Sequence, residues 1–570
     1  MSSPAVVAVT ENDLPLERVY HWEKARAGRI FLSQPCGGKP RYWTWAQAVG
    51  EARRMAAWMK TQDWEPGSRV AILSKNCAWW IMADIATWMA GHVSVPIYPS
   101  LRPESVRQIL KHSDARACFV GATDEDETPS DGIPAGVAGI TFPTARDRGG
   151  AEWDALIRSR APLEESPRRA PGDLATIIYT SGTTGTPKGV MHRFAAFSHM
   201  VAPVSRLLGL TADDRLFSYL PLAHIVERSG TEMLAYTTGA PIAFTEGLET
   251  FTDDLHAARP TIFLSVPRLL HKFQQGVFAK IPREKLQMLL GAVVLNRYIK
   301  RRILKQLGLD TVRFAACGAA PLPPELLVWF RSLGLELAEG YGMTEILVTH
   351  LGLPGNVRPG CVGAALPGVE TRFDAGGELL VRSPTNMLGY HKDPQGTAQS
   401  FTEDRFFRTG DIACLEEDGQ LRIVGRLKDQ FKTSKGKYVV PSPIERELAA
   451  HPAIEACCLL GASLPSPFAV VVLTRESRED CTGRDGRAAL ERSLLAHMRE
   501  VNGRRDPHER LAFLAVVEGP WTIANSLLTP TLKIRRAALE ARYERLVGHW
   551  GAQNRPILWE ERETAPAMQD

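Results

Sequence analysis

The stretch that decides the fold reads ATIIYTSGTTGTPKG and occupies residues 175–189 of the 570-residue chain. Its first part, ATIIYT, is a short apolar run rich in β-branched residues, which predicts a buried strand. Its second part holds three glycines, several hydroxyl side chains and one lysine. Open α/β sheets bind ligands at glycine-rich turns after parallel strands, so the stretch predicts a ligand-binding loop.

The composition of this loop suits a phosphate group. Glycines leave main-chain N–H groups accessible to an anion, hydroxyls add donors, and Lys188 adds a positive charge. The loop is not a Walker A sequence, because Pro187 precedes Lys188 and Gly189 follows it. A flexible polar surface turn is the alternative interpretation. The candidate phosphate-binding residues are Thr180, Ser181, Gly182, Thr183, Thr184, Gly185, Thr186 and Lys188.

Other short apolar runs alternate with helix-like patterns, of which WAQAVGEARRMAAWMK from Trp45 and PESVRQILKHS from Pro103 are two. Strands that alternate with helices predict an α/β architecture with largely parallel sheets. The further strand-like runs are RVAILS from Arg69, VSVPIY from Val93, ACFVG from Ala117, PTIFLSV from Pro260 and VRFAACG from Val312.

The texture of the chain changes after about residue 426. A dense basic segment, GRLKDQFKTSKGKYVVP from Gly425, is followed by a short α/β pattern that runs to the end. Because domain boundaries fall in exposed polar segments, we predict a large domain over residues 1–426 and a small one over 427–570.

The charge of the chain bears on its binding partners, and its cysteines bear on the redox compartment in which it works. The 68 basic and 64 acidic residues give a formal net charge of +4 with no block of like charge, which argues against a nucleic-acid partner. The nine cysteines are scattered and form no C-x-x-C pair, as is typical of reduced cytosolic thiols.

No part of the sequence predicts secretion or a membrane span. The first residues lack the basic and apolar regions of a secretory signal, so we expect a cytoplasmic protein. The most apolar run, CAWWIMADIATWMAGHVSVPIY from Cys77, contains Asp84 and His92 and is broken by Gly91 and Pro96. It predicts a buried helix that leads into a strand.

The loop TSGTTGTPKG resembles the phosphate-binding motif of the adenylate-forming superfamily, which includes acyl-CoA synthetases, firefly luciferases and peptide-synthetase adenylation domains. Further motifs follow in the order and spacing of that family and cover most of the chain. The context of the last motif is similar to the long-chain fatty acyl-CoA synthetase branch. The motifs are TSGTTGTPKG (180–189), YLPLAHIVER (219–228), CGAAPL (317–322), EGYGMTE (339–345), RTGD (408–411), GRLKDQFKTSKGK (425–437) and LTPTLKIRR (528–536).

The resemblance implies a reaction in two steps. A carboxylate attacks the α-phosphate of ATP to give an acyl-adenylate and pyrophosphate, and a thiol then attacks the adenylate and expels AMP. Positioning and charge neutralisation should carry the catalysis, since such transfers need little covalent help from protein. ATP, Mg²⁺ and coenzyme A are the implied cofactors and co-substrate. The implied fold has parallel-rich sheets flanked by helices in the large domain, and a small mobile C-terminal α+β domain.

The same resemblance assigns roles around the phosphates. The loop at 180–189 would hold the β- and γ-phosphates, with Lys188 adding positive charge. Glu345 and Thr184 would help to hold Mg²⁺, a hard cation that prefers oxygen ligands.

Around the nucleoside, Tyr341 would pack on the adenine face beside Gly342, and Thr344 would contact the α-phosphate. Asp411 would accept bonds from both ribose hydroxyls, since an ionised carboxylate is acceptor-only, and Arg426 would approach the same sugar. Glycine or serine is more usual in the family at the first alanine of the adenine-pocket wall. That wall corresponds to Gly318, Ala319, Ala320 and Pro321.

The resemblance places the transferring lysine at Lys533, where it would bridge the attacking carboxylate and the α-phosphate. The neighbouring Arg535 and Arg536 are expected on a solvated face. Lys428 falls at the hinge of the family, about which rotation would withdraw Lys533. Lys432 aligns with a lysine of the second half-reaction in luciferase-like members. These lysines also fit an exposed basic strip near the phosphates of coenzyme A.

On the acyl side, His224 matches a histidine near the acyl carbonyl in related ligases, although a single histidine is more often structural. The adjacent Glu227 and Arg228 fit a simple ion pair, and we assign them no role. Phe406 and Phe407 stand where long-chain synthetases often carry an aromatic pair.

The sequence leaves alternatives for both the carboxylic acid substrate and the thiol acceptor. A long-chain fatty acid fits the motifs, but the segment from His271 to Arg313 is shorter than in many long-chain members, which keeps a medium-chain or aryl acid open. A carrier protein could replace free coenzyme A, because both present phosphopantetheine. A non-catalytic nucleotide-binding scaffold and an ADP-forming kinase are the alternatives of another class. Peripheral contact with the inner membrane face is compatible with a fatty-acid ligase, although the sequence shows no evident amphipathic anchor.

Overall fold

The computed structural model of the chain describes residues 9–123, 129–145, 150–181, 187–291, 293–481, 483–523, 525–529 and 533–560. The loop residues Gly182, Thr183, Thr184, Gly185 and Thr186, predicted to bind phosphate and, for Thr184, Mg²⁺, lie outside these ranges.

Helices make up much of the described chain. Short 3₁₀ segments cover Glu11–Asp13, Pro129–Gly132 and Leu427–Asp429, and a π-helical turn covers Arg228–Met233. The α-helices are α1 (Pro15–Ala25), α2 (Trp45–Met59), α3 (Ala78–Met89), α4 (Pro103–Ser113), α5 (Trp153–Arg158), α6 (Phe194–Leu207), α7 (Ile225–Glu227), α8 (Leu234–Thr238), α9 (Phe251–Ala258), α10 (Pro267–Lys280), α11 (Arg283–Gly291), α12 (Val293–Gln306), α13 (Pro324–Ser332), α14 (Pro394–Gln399), α15 (Pro441–Leu448), α16 (Arg475–Asp480), α17 (Arg484–Gly503) and α18 (Arg536–Ala552).

The strands of the described residues are β1 (Ile30–Cys36), β2 (Lys39–Thr44), β3 (Arg69–Leu73), β4 (Val93–Ile97), β5 (Ala115–Val120), β6 (Ala138–Thr141), β7 (Ala151–Glu152), β8 (Leu174–Ser181), β9 (Pro187–Arg193), β10 (Leu216–Ser218), β11 (Ile242–Phe244), β12 (Ile262–Ser265), β13 (Phe314–Cys317), β14 (Leu337–Met343), β15 (Leu347–Leu351), β16 (Ala364–Ala365), β17 (Glu370–Phe373), β18 (Glu378–Arg382), β19 (Gly389–Tyr390), β20 (Phe407–Leu415), β21 (Leu421–Arg426), β22 (Phe431–Lys432), β23 (Tyr438–Val439), β24 (Ile454–Leu460), β25 (Phe468–Leu473), β26 (Leu514–Val516) and β27 (Ile557–Trp559).

Local sequence explains where several helices begin and end. The Thr44 hydroxyl caps α2 by accepting a hydrogen bond from the Gln47 N–H, and the Gln47 side-chain oxygen accepts one from the Thr44 N–H. Prolines open α4 and α10, where the missing N–H costs nothing. Asp114 ends α4 in the left-handed conformation.

Two large sheets carry the first part of the chain. One has the order β16-β15-β14-β13-β12-β10-β11-β1-β2, and its strands from β14 to β1 run parallel. The other has the order β19-β9-β8-β4-β3-β5-β6-β7, and its strands from β8 to β7 run parallel. All six apolar runs chosen from the sequence are strands, so the prediction of largely parallel sheets is confirmed.

Helix α3 lies between these sheets, because it contacts β1 of the first and β3 and β4 of the second. Every one of its residues is buried, which accounts for a helix that is apolar on all sides. It leads into β4, as the sequence predicts for the run from Cys77.

A buried ion pair joins α3 to the π-helical turn. The Arg228 guanidinium lies 2.6 Å from the Asp84 carboxylate and 3.6 Å from Glu232, and all three side chains have no solvent exposure. Trp80 and Trp88 lie 5.3 and 5.6 Å from the guanidinium, measured to the ring centroids. Burial, followed by the nearby Asp84, raises the pKa of Glu232 well above its ordinary value.

The last part of the chain builds a second core around the sheet β24-β25-β26-β27. Ile444 of α15 and Leu494 of α17 pack on one face of this sheet. Leu539, Tyr543 and Trp550 of α18 belong to the cluster on the other. Antiparallel β24 and parallel β26 and β27 give this core its α+β character.

Contacts between Cα atoms divide the chain into two compact units. We call Met1–Arg372, Leu380–Thr409 and Leu415–Arg422 the large unit. The small unit comprises Phe373–Leu379, Gly410–Cys414 and Ile423–Asp570. The domain boundary at residue 426 stays a prediction.

All nine cysteines lie in the described residues and are free thiols. Six are buried, Cys481 is half-buried, and Cys36 and Cys414 are exposed.

Among the described residues, we find no helix with both the length and the apolar character needed to cross a membrane.

Candidate active site

Two paired strands flank the predicted phosphate loop. Strand β8, before the loop, pairs in parallel with β4, as expected, and β9, after the loop, pairs antiparallel with β8. Thr180 lies opposite Lys188, and Ser181 lies opposite Pro187, so the strands place the described ends of the loop side by side. Thr180 and Lys188 are both half-buried.

Lys188 is connected to Glu345 through Tyr390. The Lys188 ammonium lies 4.7 Å from the centroid of the Tyr390 ring, within the range of a cation–π contact. The Tyr390 hydroxyl donates to the Glu345 carboxylate at 2.9 Å. Burial, followed by the charge of Glu345, raises the pKa of Tyr390 above its ordinary value. The hydroxyl therefore stays protonated and acts as a donor.

The sequence reasoning missed Tyr390. Its signal was the GY dipeptide that ends the run LLVRSPTNMLGY, residues 379–390. These two residues form β19 and pair with β9, which brings the ring to Lys188.

Thr344 and its neighbour Glu345 are fixed by a buried histidine. His192 of β9 donates from Nε2 to the carbonyl oxygen of Thr344 at 2.6 Å, since a carbonyl can only accept. Burial lowers the pKa of His192 to about 4, so the ring is neutral and its proton resides on Nε2. His192 belongs to the same hairpin as Lys188, which links the phosphate loop to the loop that carries Thr344.

Tyr341 and Gly342 lie at a bulge between β14 and β15. Tyr341 is buried, and its ring makes an edge contact with His350 across the sheet, with centroids 6.0 Å apart. A Cβ at Gly342 would lie 2.0 Å from the carbonyl oxygen of Leu347, so the bulge requires glycine.

The predicted adenine wall follows β13, beside the carboxyl end of β14. Ala319 has φ 66°, a left-handed angle that favours glycine, which accounts for the glycine common at this place in the family. Ala320 and Pro321 are exposed, and Gly318 is half-buried. Glu339, which the sequence reasoning did not select, holds the end of this turn by accepting from the Leu322 N–H at 3.0 Å.

His224 precedes α7 and caps it. Its Nδ1 accepts a hydrogen bond from the Val226 N–H at 3.2 Å. A neutral imidazole that accepts at Nδ1 carries its proton on Nε2, so His224 can offer a hydrogen-bond donor to an acyl group.

The expectation that Glu227 pairs with Arg228 is wrong. Arg228 pairs with Asp84, whereas Glu227 is fully buried and neither carboxyl oxygen has a hydrogen-bond partner among the described residues. Burial raises the pKa of Glu227 to about 8, so it is mostly a neutral acid at pH 7.

In the small unit, the structure brings together the two residues predicted to bind ribose. Asp411 is buried, and Arg426 lies 2.9 Å from its Oδ1. The RTGD motif is part of β20 and not a free turn, and Gly410 takes a left-handed φ of 69° there. The Gly410 N–H donates to the Glu378 carboxylate at 2.9 Å.

The predicted hinge lysine, Lys428, and the two predicted catalytic lysines of the small unit, Lys432 and Lys533, are exposed. Lys428 lies in the 3₁₀ segment Leu427–Asp429, and the Lys432 ammonium lies 5.5 Å from the Tyr438 ring centroid. The backbone of Lys533 makes two hydrogen bonds with Thr529, whose N–H donates to the Lys533 carbonyl at 2.8 Å. The Thr529 hydroxyl accepts from the Lys533 N–H at 3.0 Å.

The expectation for Arg536 is wrong, whereas Arg535 is exposed as expected. Arg536 pairs with Glu445 of α15 at 2.7 Å and donates to the carbonyl of Leu459. It fastens the start of α18 to the core of the small unit.

Two family models match most of the chain. A family model described as AMP-binding enzyme matches residues 19–391, and one described as AMP-binding enzyme C-terminal domain matches residues 428–550. The chain belongs to the AMP-binding enzyme family. The two matches together span the phosphate hairpin, the Thr344 loop and the lysines of the small unit.

Relatives place this AMP-binding enzyme in the long-chain acyl-CoA synthetase branch. It is 32% identical to the peroxisomal long chain acyl-CoA synthetase 6 of Arabidopsis thaliana over 534 residues, covering 82% of this chain and 76% of the relative. It is 29% identical to the long-chain-fatty-acid–CoA ligase FadD15 of Mycobacterium bovis over 601 residues, covering 95% of this chain and 98% of the relative.

Solved structures confirm the fold of this AMP-binding enzyme. The A domain of a carboxylic acid reductase from Segniliparus rugosus, in complex with AMP and a co-purified carboxylic acid, matches with TM-score 0.77 and 22% identity over 95% of this chain and 94% of that one. An anthranilate CoA ligase in complex with anthranoyl-AMP matches with TM-score 0.76 and 22% identity over 95% of this chain and 100% of that one. The predicted adenylate-forming fold class is therefore confirmed.

Proposed function

We propose that this AMP-binding enzyme is an ATP-dependent acyl-CoA ligase that converts a long-chain fatty acid, through its acyl-AMP, to the CoA thioester. Pyrophosphate leaves in the first step and AMP in the second. The observation that carries the proposal is the contact of Lys188 with Tyr390 and of Tyr390 with Glu345. It couples a cation of the phosphate loop to the carboxylate assigned to the metal.

In the first step, charge neutralisation would do most of the work. Lys188 and the N–H groups at the loop ends would hold the β- and γ-phosphates, and Thr344, fixed by His192, would contact the α-phosphate. His224 would donate from Nε2 to the carboxylate of the acid. Lys533 would bridge that carboxylate and the α-phosphate as negative charge accumulates.

The carboxylate of Glu345 fits a magnesium ion. Its Oε1 accepts from the Tyr390 hydroxyl, and its Oε2 accepts no hydrogen bond from another described residue, so one hard oxygen remains for a cation. Mg²⁺ in phosphate-transferring sites usually takes one or two carboxylates and completes its shell with substrate phosphates and water. When bound, the ion would neutralise phosphate charge. Thr184, the other predicted ligand, lies outside the described residues.

The nucleoside contacts follow the roles that the family resemblance assigns. Tyr341, Gly342 and the wall from Gly318 to Pro321 would receive the adenine. Asp411, held by Arg426, would accept the ribose hydroxyls. In the second step Lys432 would assist the thiol of coenzyme A.

The proposal is tested by identifying the nucleotide and acyl products. The enzyme is supplied with ATP, Mg²⁺, coenzyme A and, in turn, a long-chain, a medium-chain and an aryl acid. We expect AMP, pyrophosphate and acyl-CoA, with the highest kcat/KM for the long-chain acid. A higher kcat/KM for the medium-chain or the aryl acid would assign that acid as the substrate class instead. Turnover only when a phosphopantetheinylated carrier protein replaces coenzyme A would assign the carrier-loading reaction. ADP, or no turnover with any acid, contradicts the ligase.

Lys533→Ala separates the two half-reactions. Removing a cation that acts only as charge accumulates should lower acid-dependent ATP–pyrophosphate exchange about a hundredfold or more. Thioester formation from supplied acyl-adenylate should change little. Arg535→Ala, which removes an exposed cation two residues away, is the matched control and should affect neither. Equal loss of both half-reactions in Lys533→Ala would contradict its role.

A further inference from the structure

A cavity of about 150 Å³ lies in the large unit, and none of its lining residues is among those predicted for catalysis or cofactor binding. Three arginines reach it from separate segments of the chain, at the end of β9, at the end of β18 and just before β20. We call it the arginine cavity. Its lining includes Arg193, Arg382, Asn386, Met387, Phe401 and Arg405.

Two of the three arginines have no counter-charge from the protein. The charge of Arg382 is balanced, because its guanidinium donates to both carboxylate oxygens of Glu370, at 2.6 and 3.3 Å. Arg193 and Arg405 pair with no carboxylate within the described part of the chain. The arginine cavity therefore holds positive charge that an anion could neutralise.

Neutral contacts hold both of these cations in place. Arg193 is half-buried and donates to the carbonyl oxygen of Pro384 at 2.8 Å, and burial lowers the pKa of its guanidinium below the ordinary value. Arg405 lies over the Phe401 ring, 4.9 Å from its centroid, and its N–H donates to the Thr402 carbonyl at 3.0 Å. Because a half-buried cation without a counter-ion is costly, an anion in the cavity would stabilise Arg193.

The wall of the arginine cavity also offers a buried hydrogen-bond acceptor. The Asn386 side-chain N–H donates to the Val381 carbonyl at 3.1 Å, whereas its Oδ1 is buried and has no partner among the described residues. Buried polar atoms are almost always hydrogen-bonded, so this oxygen indicates a ligand that can donate. Phe401 and the buried Met387 supply apolar surface. The cavity therefore suits a small anion that carries a hydroxyl group.

The arginine cavity adjoins the loop of residues 344–346, which carries the predicted α-phosphate and Mg²⁺ contacts. Each main-chain carbonyl of this loop is held by a residue in or beside the cavity wall. The Met387 N–H donates to the middle carbonyl at 2.8 Å, and the Thr385 hydroxyl donates to the last one at 2.7 Å. His192, which donates to the first carbonyl, is followed directly by Arg193. A ligand that fixes this wall would therefore also fix the loop.

We propose that the arginine cavity binds a phosphate dianion that carries a hydroxyl group, and that the bound anion strengthens Mg²⁺–ATP binding at the candidate active site. Inorganic phosphate and a hydroxylated phosphomonoester share this chemistry. Two guanidinium groups match the charge of a dianion, and their forked N–H groups match phosphate oxygens. The hydroxyl group would donate to the Oδ1 of Asn386.

The effect on ATP follows from the shared wall. A ligand shifts an equilibrium toward the arrangement that it binds, and the arrangement with Asn386 and Met387 in place is the one that holds the carbonyl of Glu345. The coupling rests on the proposed function, whereas the phosphate site does not.

The test is a calorimetric titration of the full chain without acid, with Mg²⁺ and a non-hydrolysable ATP analogue present to fill the phosphate loop. Wild type should bind inorganic phosphate. Arg405→Gln removes an exposed guanidinium of the cavity and should bind phosphate about tenfold or more weakly. Sulfate has the charge of the phosphate dianion but no hydroxyl group, so wild type should bind it about tenfold more weakly than phosphate.

Glycerol phosphate distinguishes the two sources of the anion. If it binds more tightly than inorganic phosphate, the result supports a phosphomonoester as the ligand, and the reverse order supports inorganic phosphate.

The matched control removes the same charge elsewhere. Arg116 is an exposed arginine outside the cavity, and Arg116→Gln should leave phosphate binding within about twofold of wild type. No phosphate binding by wild type, equal losses in the two arginine variants, or sulfate binding as tight as phosphate binding would overturn the proposal. Loss of phosphate binding in Lys188→Gln but not in Arg405→Gln would place the anion in the phosphate loop and overturn it as well.

A second titration tests the coupling. Saturating phosphate should raise the affinity for Mg²⁺–ATP by about fivefold in wild type relative to Arg405→Gln, and Mg²⁺–ATP should raise the affinity for phosphate by the same factor. An unchanged relative affinity overturns the coupling. Normal ligase activity in a protein that binds no phosphate at the cavity overturns this inference alone. Phosphate binding at the cavity of a protein that activates no acid supports the site and refutes the ligase.

Discussion

Tyr390 and His192 connect the motif residues to one another, although neither belongs to a motif that the sequence singled out for chemistry. Tyr390 touches Lys188 and Glu345, and His192 holds Thr344. The motifs predict which residues could bind ATP. These two side chains determine how those residues are held. The contacts of His192 with Thr344 and of Tyr390 with Lys188 join segments about 150 or more residues apart, which a single sequence does not reveal.

Tyr390→Phe should weaken adenylation, because the substitution removes the hydroxyl that positions Glu345. The aromatic ring that contacts Lys188 is retained. A hydrogen bond to a charged group contributes about 1.5–3 kcal/mol, so acid-dependent ATP–pyrophosphate exchange should fall about tenfold or more. The fall should be partly reversed at high Mg²⁺.

Tyr179→Phe is the control for this variant. It removes a hydroxyl from the same hairpin, one that lies 2.8 Å from His112 and not near Glu345. If exchange falls equally in both variants, the Tyr390 hydroxyl stabilises the hairpin and does not act through Glu345.

Ala319→Gly should stabilise the protein, against the usual effect of replacing alanine with glycine. At φ 66° an alanine costs about 1–2 kcal/mol, and glycine costs about 0.5–1 kcal/mol more than alanine in unfolded-chain entropy. The midpoint of urea unfolding should therefore rise by the equivalent of up to about 1 kcal/mol. Ala320→Gly, where φ is not left-handed, should lower it. A lower midpoint in Ala319→Gly would mean that the turn is not strained.

The strands and helices of the large unit could be predicted with more success than their connections. Runs such as RVAIL in β3 and VSVPI in β4 are short, apolar and bounded by turn residues, so they are recognisable alone. Strand β9, PKGVMHR, is not, since it opens with proline and mixes charged with buried residues. Its pairing with β19 joins segments that lie far apart in the chain, which the sequence alone does not predict.

Burial of Glu227 in α7 destabilises the fold by an amount that depends on pH. Glu227 is fully buried with a pKa of about 8, whereas in the unfolded chain it titrates near pH 4.3. The folded state keeps the proton over a pH range in which the unfolded state releases it, so the stability falls as pH rises. Below about pH 4 the acid is neutral in both states, and this pH-dependent destabilisation disappears.

Glu227→Gln removes this titration and keeps the shape of the side chain. The free energy of unfolding of the variant, relative to wild type, should rise by about 1.4 kcal/mol for each pH unit from about pH 5 to about pH 8 and then level off. Urea unfolding at several pH values measures it. Glu249→Gln, on an exposed carboxylate, is the control and should give a difference that does not change with pH. A flat difference for Glu227→Gln would mean that the carboxyl is ionised in the fold.

For the molecule as a whole, the proposed reaction requires that the small unit serve two half-reactions in turn. Lys428 is the predicted hinge, and it lies in an exposed 3₁₀ segment near the start of the small unit's main segment. The resemblance to the family supplied this assignment. Composition and spacing alone predicted only a change in composition near residue 426. A hinge is defined by the difference between two conformations, which composition does not report.

Lys428→Pro should impair the second half-reaction selectively. Proline fixes φ near −65° and restricts the residue before it, so rotation at this position would be blocked. We expect ATP–pyrophosphate exchange to persist and thioester formation from supplied acyl-adenylate to fall by about tenfold or more. Lys428→Ala, which removes the charge but leaves the backbone free, should retain both. Full overall turnover in Lys428→Pro would place the hinge elsewhere.

The distribution of thiols provides a natural means to follow such a rotation. Of the nine cysteines, only Cys36 and Cys414 are exposed, and they belong to different units. With the half-buried Cys481 replaced by serine, a maleimide dye pair should attach to those two sites while the six buried thiols are protected. Energy transfer between the dyes would then report the distance between the large and small units during turnover, with no cysteine added to the chain.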